Sequence, residues 1–368
     1  MIGVGKNFVT SLAAHWSASR LIDELECLVS VMGAIVIAHA IGAHNISWAA
    51  FSGYMVMRGH AADSFWRGTL RIAGTLLGAM LALVIVPMVR HSWPLNALAA
   101  ALIGMVALYG ALTRRHSYAW LFIGLTFEMI LLDQLDHPGD ALYPFALSRL
   151  VEVVSGTLAC IAVSVLSTLT LRRRWPGTRV RPSQPVGWHP HALRHAAQGA
   201  VALACLPFVA ALTGLHETAQ AAISIVAVML VPVTSLGTSG FKPVSRKLLQ
   251  RTAGCLAGAM LAGLTLFVAH GSVPLLLVGT ALGVVIGRHI ENGGHAYIYV
   301  GSQFTLAALV ALVPDSYAGI ALAPAIDRLC SILIGMAVLE PVLIVWHVLA
   351  PGTQPAAPQA ITTSGDGE

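Results

Sequence analysis

Four stretches of this chain, at 28–43, 72–89, 95–112 and 151–171, are apolar almost from end to end and hold one charged residue among them, Glu152. A helix crossing hydrocarbon needs about 20 mostly apolar residues. These runs approach or reach that length, and none has the polar face of a surface helix. In lipid every backbone N–H and C=O must be satisfied internally, which leaves helices or closed barrels. Ten-residue alternating strands are absent, and Leu, Ala and Gly dominate, so the sequence predicts an all-α, polytopic membrane protein. Composition agrees, with 10% charged residues against about 25% in soluble domains. An ordinary soluble enzyme, a disordered chain and a nucleic-acid binder are excluded. The formal net charge of +5 is no nucleic-acid footprint, because most of the bases flank apolar runs.

Extending the reading predicts about twelve helices in two sets of six. The first set is expected near 22–43, 46–57, 67–88, 94–112, 116–133 and 146–170. The second is expected near 192–213, 217–235, 248–269, 272–287, 295–313 and 321–349. The domains are then 1–171, a basic, Pro-rich cytoplasmic linker at 172–191, a second unit at 192–350 and a disordered tail at 351–368. The five cysteines lack CxxC spacing and read as packing residues.

Basic residues set the orientation. With the N-terminus inside, 18 of the 21 Lys and Arg fall in cytoplasmic loops and ends. Arg90 alone falls outside, and Arg149 and Arg328 lie within helices. Both termini are expected in the cytoplasm. The start of the chain reads as lacking a cleaved signal peptide.

The chain also resembles itself. Residues 71–82 and 251–262, 180 apart, are identical at nine of twelve positions. His116-Ser117-Tyr118 recurs 179 residues later as His295-Ala296-Tyr297, and Arg149-Leu150 with Gly156 recurs at the same offset as Arg328-Leu329 with Gly335. This predicts two parallel six-helix repeats related by an axis along the membrane normal. The Arg71-x-x-Gly74-Thr75-x-x-Gly78 element, the short apolar helix with Trp48-Ala49 before it, and the later Arg149 helix resemble the fusaric-acid-resistance-like family. That family includes the aromatic acid exporters, and plant aluminium-activated malate transporters look like distant relatives. The resemblance spans roughly 25–170 and 195–345. It implies export of organic acids, aromatic acids among them, across the bacterial inner membrane. It also implies a proton gradient as the drive and, in some members, a periplasmic adaptor as partner. A passive organic-anion channel is the alternative.

Four arginines are the candidate substrate-binding residues. Arg71 and Arg251 open matched helices, where a cation opposes the helix dipole; ordinary anchoring to lipid phosphate is the competing reading. Arg149 and Arg328 stand against the positive-inside trend, and an intramembrane charge usually faces the bundle interior. A planar guanidinium suits a carboxylate. Glu152 lies three residues after Arg149, so the two can pair. Glu128, deep in its helix, Glu152, and the matched His116 and His295 are the proton-coupling candidates. Glu128 aligns with Ala307 at the repeat offset. Gly74, Gly78, Gly254 and Gly258 form small-xxx-small pairs that let helices approach closely. Asp23, Glu24 and Glu26 read as a solvated interfacial cluster, and His39 as a packed histidine. No metal-ligand spacing, Walker A loop or nucleophile elbow appears, so no enzyme activity, cofactor or metal is expected.

Overall fold

The computed structural model describes residues 17–179, 184–213, 218–236, 240–294, 296–315 and 323–349. His295 and the tail at 351–368 lie outside them. The described residues form helices and connections only. The first six are α1 (Ala18–Ala40), α2 (Ile46–Val56), α3 (Ala61–Val89), α4 (Trp93–Thr113), α5 (Ser117–Asp136) and α6 (Leu142–Leu169). One further turn, Leu171–Arg174, marks the linker end of the bundle. The next six are α7 (Pro190–Thr213), α8 (Thr218–Met229), α9 (Phe241–Ala269), α10 (Val273–Glu291), α11 (Ile298–Leu312) and α12 (Ala323–Leu349). Eight of these are long and apolar enough to cross a membrane. The helices α2, α8 and α11 are shorter, and α1 carries Arg20, Asp23, Glu24 and Glu26 in its first half.

Several helices start earlier than the apolar runs suggest. α3 and α9 begin at Ala61 and Phe241, about three turns before their charge-free stretches, through segments carrying Arg67 and Lys247. α8 stops at Met229, not at 235, because Pro232 follows. Proline disfavours helical backbone in the residue before it, and only a 3₁₀ turn, Val233–Ser235, comes after.

Each packing within the first six helices has a counterpart in the second. α3 lies on α5 as α9 lies on α11, and α2 lies on α6 as α8 lies on α12. Between the halves, α4 packs on α7 and α10 on α1, while α5 packs on α8 and α11 on α2. Two acids exchange across this boundary. The Ile46 N–H, opening α2, donates to Asp315 at 2.9 Å, and the Thr218 N–H, opening α8, donates to Asp136 at 3.0 Å. A carboxylate at a helix N-terminus complements its positive end.

Lipid gives no hydrophobic drive between helices, so close packing has to hold the bundle. The four glycines at 74, 78, 254 and 258 provide it. A Cβ on Gly74 would sit 2.5 Å from the Ala119 carbonyl oxygen, and one on Gly78 would sit 2.6 Å from that of Ile123. One on Gly254 would sit 2.6 Å from the Val300 carbonyl oxygen, and Gly258 abuts Phe304 more closely still.

Candidate functional site

Because α2 and α8 are short, their C-termini end inside the bundle and leave carbonyls to be satisfied. Cations from the next helix reach them. Arg67 Nε donates to the Met55 carbonyl at 2.9 Å, and Lys247 Nζ donates to the Ala227 and Leu230 carbonyls at 2.9 and 2.6 Å. One turn further along α3 and α9 come Arg71 and Arg251. Arg71 donates to the Tyr118 hydroxyl at 3.2 Å and Ser52 Oγ at 3.0 Å, and lies 4.1 Å from the Phe122 ring centroid. Arg251 donates to the Tyr299 hydroxyl at 3.2 Å and Gln303 Oε1 at 2.7 Å. From the other end, α6 brings Arg149, whose Nη2 donates to Glu152 Oε1 at 2.9 Å, while α12 brings Arg328 beside the Cys255 sulfur.

The four arginines, Arg67, Lys247, Tyr118, Phe122, Tyr299, Gln303 and Glu152 line one cavity of about 290 Å³ between the halves. Its cations are Arg58, Arg67, Arg71, Arg149, Lys247, Arg251 and Arg328; its carboxylates are Glu152 and Glu291. The walls differ. Trp48, Phe51 and Phe122 face the cavity from the first half, and Ile223, Leu306 and Val310 from the second. Arg71, Arg149, Arg251 and Arg328 are all buried, and each leaves its Nε without a hydrogen-bond partner. Among the described residues, Arg149 is the only one of the four paired with a carboxylate. Buried charge needs a partner or costs several kcal/mol, as a rough scale, so the arrangement is electrostatically incomplete toward anions. Arg58, in the α2–α3 connection, feels the same excess: burial first, then the Arg67 and Arg288 charges, lower it from its ordinary value.

Residues 33–163 match the fusaric acid resistance protein-like family. Over that stretch the chain is fusaric acid resistance protein-like. The match runs from within α1 to within α6 and so includes Arg71, Arg149 and Glu152. The match and the apolar helices together fit a membrane protein. No curated protein and no solved structure matches the chain.

The four arginines therefore meet in one place in the bundle, and Glu152 meets them there. Glu128 does not. It is fully buried on α5, both carboxylate oxygens lack partners, and it faces Gly104 of α4 near Leu203 of α7, outside the cavity lining. His116 is exposed at the linker end against Trp66. The residue that serves Arg251 as Tyr118 serves Arg71 is Tyr299, not Tyr297, so this helix pair matches at an offset of 181. The α10–α11 connection is longer than the α4–α5 one, which shifts the register. Thr126, which packs on Gly78, then corresponds to Ala307, which packs on Gly258, and Glu128 corresponds to Leu309.

Two readings of polar residues are corrected. Asp23, Glu24 and Glu26 are buried and paired rather than solvated. Arg172 bonds both Glu26 oxygens at 2.7 and 2.5 Å, Arg288 bonds both Asp23 oxygens at 2.7 and 3.2 Å, and His289 meets Glu24 at 2.8 Å. Arg20, four residues before Glu24, is a local partner, but Arg172, Arg288, His289 and Asn292 lie up to 269 positions away, so local composition carries no sign of them. His39 is exposed, bonding the Ile35 carbonyl on its own helix at 3.0 Å. Arg67 and Lys247 are the site residues that the sequence reading passed over. Their spacing of 180 equals that of Arg71 and Arg251, one turn away, and only the change from Arg to Lys hides it.

Proposed function

We propose that this protein is a secondary transporter that moves organic acids, aromatic acids among them, out of the cytoplasm across a bacterial inner membrane. The observation that carries the reading is the shared cavity, where seven cations from both halves face two carboxylates. A cavity at the boundary of two similarly packed helix sets is the usual place for a transported substrate. The reciprocal contacts of α4 with α7 and α10 with α1 suit two parallel repeats rocking about an axis along the membrane normal. The linker end is assigned to the cytoplasm on the distribution of Lys and Arg.

Glu152 is the proposed proton carrier. Of the proton-coupling candidates among the described residues, it alone lines the cavity and pairs with a cavity arginine. Protonation of Glu152 releases Arg149 to the substrate carboxylate, so proton and substrate travel together, and loss of that proton on the far side lets the pair re-form and displaces the substrate. Glu128 has a structural or a separate proton-storing role at the α4–α5–α7 junction. The aromatic wall of Trp48, Phe51 and Phe122 supports a ring-bearing substrate. Uptake of labelled benzoate into inside-out vesicles tests the reading. Accumulation should require a pH gradient, and uptake that ignores the gradient removes the proton-driven mechanism.

A further inference from the structure

The cavity holds more positive charge than one carboxylate can answer, and its unanswered guanidinium groups stand at two levels. Arg71 and Arg251 lie at one level, each held by a tyrosine hydroxyl. Arg149 lies over Trp48, and Arg328 lies beside Cys255, one turn past Arg251 on α9. Along α2, Arg149 stands over Trp48 and Arg71 bonds Ser52, four residues apart, which is about 6 Å of helix. At the second level the halves differ. Arg149 has Glu152 three residues on, whereas the corresponding position after Arg328 is Ser331, which turns its hydroxyl back to the Asp327 carbonyl. Arg328 is buried, lines the cavity and has an unpartnered Nε. Glu291, the other cavity carboxylate, is engaged elsewhere, accepting from the Tyr54 hydroxyl at 2.8 Å and pairing with Arg288 at 3.4 Å.

We infer that the site prefers an organic dicarboxylate to a monocarboxylate, one carboxylate seating at the Arg71–Arg251 level and the other at Arg328. This deepens the transport reading and rests on it. A monoanion leaves one level uncompensated, whereas a dianion with separated charges meets both. A charge-assisted hydrogen bond from a buried guanidinium is worth about 1.5–3 kcal/mol, so the second carboxylate should tighten binding at least tenfold, as a rough scale.

The test compares two probes that share a ring, benzoate and 1,4-benzenedicarboxylate, by equilibrium binding to the purified full chain. At neutral pH the dicarboxylate should bind at least tenfold tighter. In Arg328→Gln the ratio should fall to within about threefold of one, mostly through loss of dicarboxylate affinity. Equal binding of both probes to the unaltered protein overturns the inference with no variant needed and leaves organic-acid transport standing. A preference that survives intact in folded Arg328→Gln also overturns it, since the second anchor is then elsewhere. Failure of both probes to bind removes the transport reading itself, and the inference with it.

Discussion

Replacing Glu152 with Gln isolates the competition on which the proposed cycle depends. Gln keeps the shape of the side chain and can still accept from Arg149 and from the Asn45 N–H, which now donates to Glu152 Oε1 at 3.2 Å. What it removes is, among the described residues, the only carboxylate paired with a cavity arginine, in a contact of 2.9 Å between side chains that are 5% and 1% exposed. A hydrogen bond between charged groups is worth about 1.5–3 kcal/mol, and one to a neutral acceptor about 1 kcal/mol. The difference, about 0.5–2 kcal/mol, becomes available to an incoming carboxylate. It corresponds to roughly 2- to 30-fold tighter binding. Equilibrium binding of labelled benzoate to purified protein measures it, and Trp48, with its ring 5.5 Å from Arg149, offers a fluorescence readout. The same variant should lose its stimulation by a pH gradient in vesicles. Unchanged or weaker benzoate binding in a folded variant refutes the idea that substrate and Glu152 share Arg149.

Three further outcomes follow from the packing and the charge network. Asp23→Asn removes the bidentate partner of Arg288 and loosens α1 from α10. Breaking a buried pair costs about 3–5 kcal/mol, and the low end is expected because Glu291 remains near Arg288; thermal unfolding in detergent should show a lowered midpoint. Gly258→Val forces a side chain onto the Phe304 backbone of α11, at a cost of at least about 1–3 kcal/mol, and size-exclusion chromatography should show loss of monodisperse protein. Lys247→Met strips the α8 carbonyls of Ala227 and Leu230 of their donor. Unsatisfied buried acceptors cost about 1–3 kcal/mol each, so unfolding should begin at lower temperature while Arg67→Lys, which keeps a donor at the matched site, remains near the unaltered protein.

How far the sequence revealed this arrangement depended on the range of the interaction concerned. The helices were visible because a span needs an uninterrupted apolar run, and 72–89 and 95–112 supply one each. The first turns of α3 and α9, at 61–66 and 241–247, fall outside the expected helices because Asp63, Lys242, Arg246 and Lys247 interrupt the apolar pattern. The arginine pairs stood out as costly charges that recur at a fixed spacing, a signal that needs no knowledge of packing. That Glu128 and Glu152 would part company was hidden. Both lie deep in helices, and which way each faces follows from packing in the assembled bundle. Asp23 and Glu26 looked solvated for the same reason, because Arg288 reaches Asp23 only when the two halves meet, and Arg172 reaches Glu26 only when α6 packs on α1. The slip from Tyr299 to Tyr297 came from applying one offset across connections of unequal length.

The central claim is that an anion passes through the cavity lined by Arg71 and Arg251. Its most direct measurement is benzoate uptake into inside-out vesicles by the unaltered protein and by the paired Arg71→Gln, Arg251→Gln variant. Both are assayed at equal amounts of folded protein under the same imposed pH gradient. The account predicts gradient-dependent uptake by the unaltered protein and a loss of at least tenfold in the variant. Uptake by the variant at the unaltered rate would contradict it.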